Sequence, residues 1–162
     1  MSMGDLRERL AELGFDSVRT LLQSGNIVFR VDVERREAIE RRIEDEISRS
    51  FERPTVCFVR TPAEWQKVIM RNPLPQQAAE DPGRMTALIL KEAPSAAAWK
   101  SLQAGITGRE IVRGRSDHGY VVYPDGQGRS RLTLARIEAA LGTRATIRNW
   151  NTVMKIGSLL AE

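Results

Sequence analysis

The sequence predicts an α+β fold made of two tandem split-βαβ units, on three observations. β-rich runs and amphipathic helical stretches follow one another in the same order twice. A proline-containing, weakly apolar stretch, 73–84, separates the two rounds. Every apolar run is short; the longest, Met85-Thr86-Ala87-Leu88-Ile89-Leu90, is far below the ~20 residues that span a bilayer. Each unit is therefore expected to be a ferredoxin-like subdomain with an antiparallel sheet. Residues 1–72 form the first with a connecting helix, 73–84 the linker, and 85–162 the second.

The elements follow in order. Leu6, Leu10 and Leu13 recur at helical spacing and Gly14 stands where a C-cap belongs, which predicts a helix over Met3–Leu13. Val18–Gln23 and Ile27–Val31 read as strands split by the turn residues Ser24-Gly25-Asn26. Glu34–Phe51 reads as a helix with Ile39, Ile43 and Ile47 on its buried stripe; the Glu37–Arg41, Arg41–Asp45 and Arg42–Glu46 pairs make a solvated face. Thr55–Arg60 reads as a strand. Thr61-Pro62-Ala63-Glu64 is a capping box that opens a helix containing Trp65, Val68 and Ile69. The second round gives strand Met85–Leu90, helix Pro94–Gln103, strands Arg109–Arg113 and Gly119–Tyr123, helix Ser130–Leu141 closed by Gly142, strand Arg144–Ile147 and helix Trp150–Leu160. Set against the second, the first round lacks its first strand. In this topology that strand is central, and its loss exposes backbone donors on both neighbours. The expectation is a chain that lacks an upstream strand, or one whose exposed strands are filled by another segment or by a homo-oligomer.

Composition removes whole classes of chemistry. The single Cys57 cannot form an internal disulfide, and with the single His118 it leaves no zinc-type cluster, so no metal and no cofactor is expected. Cys57 sits in a strand-like run and reads as a small buried hydrophobe; His118, before Tyr120 and Val122, reads as a surface or hairpin residue without a paired nucleophile. No signal peptide or membrane span is visible, so a cytoplasmic protein is expected. Charge is uneven. Residues 104–162 hold nine Arg and Lys against five acids, whereas the rest balances at sixteen of each, so the C-terminal part is where an anionic partner would bind. A net charge of +4 that serves only solubility is the competing reading.

Four stretches carry a family resemblance: Asp5-Leu6-Arg7, Gln23-Ser24-Gly25-Asn26-Ile27-Val28-Phe29, the loop from Pro124 to Leu132, and Thr146-Ile147-Arg148-Asn149-Trp150-Asn151-Thr152-Val153. In this order they resemble the bacterial domain of unknown function 1697. Members of that family usually begin with a strand and a glycine-containing loop that this sequence lacks. The resemblance implies paired ferredoxin-like subdomains and supplies no activity.

The candidate site comes from the residues. In the split-βαβ plan the loop after the third strand and the turn after the fourth emerge at one end of the sheet, roughly 10 Å apart. Gly126 and Gly128 would let a ligand approach the backbone, Ser130 would cap the following helix, and Arg129, Arg131 and Arg148 with Asn149 would hold an anion bidentately. The expected partner is nucleic acid or a phosphorylated small molecule. The plain alternative is a tight turn, an N-cap and solvated arginines. An enzyme acting on a small anionic substrate between the subdomains, with Asp125 as acid or base, is the other reading. Lys155 lies past the last helix's N-terminal amides. Trp150 reads as a core anchor rather than a base-stacking ring. Tyr120 and Tyr123 differ in strand parity and cannot form one aromatic platform.

Overall fold

The computed structural model describes residues 2–21, 25–32 and 34–162. The chain divides into two compact units, Met1–Pro62 with Ser158–Glu162, and Ala63–Gly157. It is a mixed α+β protein with two antiparallel sheets.

In the first unit, Ser2 Oγ accepts from Asp5 N at 3.0 Å and so starts helix α1 (Met3–Glu12), which buries Leu6 and Leu10. Strands β1 (Asp16–Leu21) and β2 (Asn26–Arg30) pair antiparallel, Arg19 opposite Val28, with an irregularity beside Ser17, whose φ is +51°. Gln23 and Ser24, expected in the first strand and its turn, lie outside the described residues. Helix α2 (Arg36–Phe51) buries the predicted stripe of Ile39, Ile43 and Ile47 against Leu6, Leu10 and Phe15. Its charges are less uniform than the sequence implies. Arg42 donates to Leu13 O at 2.7 Å, pairs with Glu34 and stacks on the Phe15 ring, while Glu46 is buried and pairs with Arg49.

Residues 55–60 are a correction: they are not a strand. A strand exists only by pairing, and among the described residues β1 and β2 form a two-stranded sheet by themselves. The segment instead packs Cys57 and Val59 against the first unit's core, and two α2 carboxylates take its amides. Cys57 N donates to Glu44 Oε2 at 2.7 Å and Val59 N to Glu40 Oε2 at 2.8 Å.

The second unit includes helix α3 (Pro62–Met70) from Ala63 onward. The stretch 73–84, expected to be a plain linker, holds helix α4 (Pro75–Glu80) and a 3-10 turn, Pro82–Arg84. Strand β3 (Met85–Leu90), helix α5 (Ala96–Ala104), strands β4 (Ile111–Arg115) and β5 (His118–Val122), helix α6 (Leu134–Leu141), strand β6 (Ala145–Asn149) and helix α7 (Trp150–Leu160) follow. The sheet order β4-β5-β3-β6, antiparallel throughout, is the split-βαβ order, and the central β3 is buried at every position.

On one face Leu88, Leu90, Val121 and Tyr123 pack with Leu102, Ile137 and Leu141 from α5 and α6. On the same face Trp99 lies flat on the β4–β5 hairpin: a Cβ on Gly114 would sit 1.9 Å from its ring, and one on Gly119, directly opposite, 2.7 Å. Only glycines leave room for that ring. On the other face the Tyr120 hydroxyl donates to Val68 O at 2.8 Å, and Trp65 Nε1 donates to Val153 O at 3.0 Å.

Candidate functional site

Strand register brings the end of β5, the start of β3 and the end of β6 together. Met85 lies opposite Val122, Thr86 opposite Asn149, and Tyr123 N donates to Arg84 O at 2.8 Å. The loop after β5 and the turn after β6 thus leave the same end of the sheet, as the topology demands. Helix α6 starts four residues later than the sequence suggests, and this changes the chemistry of the loop. Its N-cap is Thr133, whose hydroxyl accepts from Arg136 N, so Ser130 is not the cap. Ser130 Oγ instead accepts from Leu132 N at 3.0 Å and donates to Glu110 Oε1 at 2.6 Å.

The other members of the predicted set divide into committed and exposed groups. Gly126 has φ +93° and packs against Arg84: a Cβ there would be 2.5 Å from its guanidinium. Gly128 faces open space. Asn149 Oδ1 accepts from Asn151 N at 2.9 Å and its amide donates to Gly83 O at 3.1 Å, so it caps α7 and ties the sheet end together. The half-buried Arg148 donates back along its own strand to Thr146 Oγ1 and Ile147 O; burial lowers its pKa. Asp125 pairs with Arg109, whose hydrogen bonds hold the carboxyl below the usual range.

Arg129 and Arg131 are exposed, and so is Arg136 in the first turn of α6. The side chains of these three arginines make no hydrogen bond or ion pair to another described residue. Elsewhere in this unit Arg109 pairs with Asp125 and Arg144 with Glu138. Arg131 and Arg136 border a cavity of about 170 Å3, formed where the C-terminal end of α5 and the segment to Glu110 meet α6. Arg136 and Glu110, which line this cavity, are outside the set of residues expected from the sequence. Arg136 falls three residues after Thr133, a spacing that would have found it had Thr133 been read as the cap.

The remaining candidates are structural. Trp150 is buried beside Tyr120, ring centroids 6.3 Å apart. Tyr120 and Tyr123 sit on opposite faces; burial pushes both hydroxyls up to about 12. His118 is in the hairpin and buried, not at the surface. Lys155 is exposed on α7. Among the described residues no group of three or more His, Cys, Asp or Glu is placed to hold a metal ion, and no helix is long and apolar enough to cross a membrane.

No curated protein matches the chain. A solved structure titled "The structure of conserved bacterial protein SP0830 from Streptococcus pneumoniae" is similar to it at 18% identity and a TM-score of 0.75. It covers 100% of this chain and 90% of its own. At that identity the likeness concerns the fold. A family model described as protein of unknown function (DUF1697) matches residues 1–120, and the chain belongs to that family.

Proposed function

We propose that the second unit is a binding module for phosphate-bearing ligands, either a phosphorylated small molecule or a nucleic-acid backbone, held by Arg129, Arg131 and Arg136. The observation that carries this reading is the run of three exposed, unpaired arginines on one loop and the helical turn that follows it. Arg129, Arg131 and Arg136, exposed and without a hydrogen bond or ion pair among the described residues, follow one another along one loop and the first helical turn after it, whereas the other arginines exposed in this way in the unit, Arg71, Arg84 and Arg115, are scattered along the chain. A planar guanidinium presents paired donors that fit two phosphate oxygens, and several of them along one short stretch raise the local concentration of anions. Gly128, with open space where a side chain would be, lets a ligand come close to the loop backbone. Asp125, ion-paired and kept ionised by Arg109, is poorly suited to act as a catalytic acid, which favours binding over turnover.

The test is titration of the full chain at low salt with inorganic phosphate and with a duplex DNA oligonucleotide, against Arg129→Gln, Arg131→Gln and Arg136→Gln. Each substitution is expected to weaken binding while leaving the fold intact. For the duplex, each lost contact flattens the slope of log affinity against log salt by about 0.9. No binding by the parent chain, or equal binding by the triple variant, overturns the reading.

A further inference from the structure

The cavity beside the arginines narrows the ligand class, and this step rests on the phosphate-binding reading above. Its walls differ in kind. Leu102, Ile106 and Leu132 give an apolar floor, Arg131 and Arg136 stand at its border, and Glu110 forms a further wall. Ser130 Oγ donates to Glu110 Oε1 at 2.6 Å, so that carboxylate is held in place and cannot swing aside freely. An extended polyanion running past Arg131 would meet this fixed negative charge. A ligand with a single anionic head would place the head between the two guanidiniums and its apolar body on the floor.

We propose that this cavity binds a small amphipathic monophosphate: the phosphate is engaged by Arg131 and Arg136, a compact hydrocarbon or aromatic group covers Leu102, Ile106 and Leu132, and Glu110 excludes polyphosphates and nucleic-acid chains. A volume of about 170 Å3 suits one ring or a short branched chain. Apolar contact in such a pocket adds affinity in proportion to the area covered.

Calorimetric titration of the full chain with inorganic phosphate, phenyl phosphate and a short single-stranded oligonucleotide tests this. Phenyl phosphate is expected to bind about tenfold more tightly than inorganic phosphate. Ala140→Phe fills the cavity from the exposed side of α6. It should abolish the advantage of the phenyl group and leave inorganic phosphate unaffected, and Ser101→Phe fills it independently from α5. Arg131→Gln should weaken both phosphates alike. Equal binding of the two phosphates, or tighter binding of the oligonucleotide than of phenyl phosphate, overturns the proposal while leaving the phosphate-binding reading intact. Failure of every probe to bind overturns both.

Discussion

In the second unit β3 and β6 satisfy one another across a ladder from Thr86–Asn149 to Leu90–Ala145, with β5 on the other edge of β3. In the first unit the amides of Cys57 and Val59 bond to the Glu44 and Glu40 carboxylates of α2. The same device occurs in the second unit as a supplement: Glu138 of α6 accepts from Ala145 N at 2.9 Å and Arg144 Nε at 2.9 Å, at the very start of β6. A helix carboxylate facing the following segment thus assists a ladder in one unit and stands in for one in the other. The difference reaches the surface. Where the carboxylate only supplements a ladder it stays more open, with 22% of the Glu138 side chain exposed; where it stands in for one it is drawn in, and only 6% of the Glu40 side chain is exposed.

The sharpest way to break this comparison is to remove the two carboxylates in turn. Glu40→Ala takes the acceptor from Val59 N and leaves the Arg60 guanidinium, 4.0 Å away with only 5% of its side chain exposed, without that counterion. The expected cost is about 3–5 kcal/mol, with 55–60 losing protection first. Glu138→Ala should cost only about 1 kcal/mol, because β6 keeps β3 as its partner. Denaturant melts with amide exchange at Val59 and Ala145 measure both. Equal losses, or equal loosening of the two segments, would mean that the carboxylates do the same job in both units.

A smaller effect comes from the hairpins. Phe29 on β2 meets the Phe15 ring edge-on at 4.9 Å, whereas the β4–β5 hairpin receives Trp99 on bare backbone. Gly114→Ala places a methyl group 1.9 Å from that ring, so the helix or the hairpin must move, at an expected cost of about 1–3 kcal/mol. Gly128→Ala, which meets nothing within 4 Å, is the control and should stay within about 0.5 kcal/mol. If both variants melt alike, the Trp99 contact does not hold the second unit's helix to its sheet.

Much of this fold is legible in the sequence because local signals are strong and agree. The six-residue run of β3, the isoleucine stripe of α2, the αL cap at Gly142 with φ +70°, and the start of α7 at Trp150 all lie where periodicity puts them. What is not legible depends on partners. Residues 55–60 are a β-branched, apolar run like that of a strand, but such a run reports burial and not pairing. Ser130 looks like a cap, yet Thr133 stands directly before Leu134, where the apolar helix begins. The site was half legible. Strand parity, which separates Tyr120 from Tyr123, equally places Arg148 and Asn149 on opposite faces of β6. The cavity needs α5 beside α6, a long-range contact that spacing does not reveal.

The smallest expected effect concerns an exposed ion pair beside the candidate loop. Asp125 is exposed and matched to Arg109, so it contributes little to folding and withholds one guanidinium from the nearby loop. Asp125→Asn should leave the melting temperature essentially unchanged and free Arg109 to act with its neighbours. Phosphate affinity is then expected to rise about two- to threefold, with a steeper dependence on salt. An enzyme using Asp125 as its acid or base predicts the opposite: lost turnover of a phosphate ester and no gain in affinity. A measured rise in binding with no change in fold therefore supports carboxylates as trimming groups on this surface. A fall in binding would show that Asp125 helps to position the loop, and that the second unit, like the first, relies on its acids for structure.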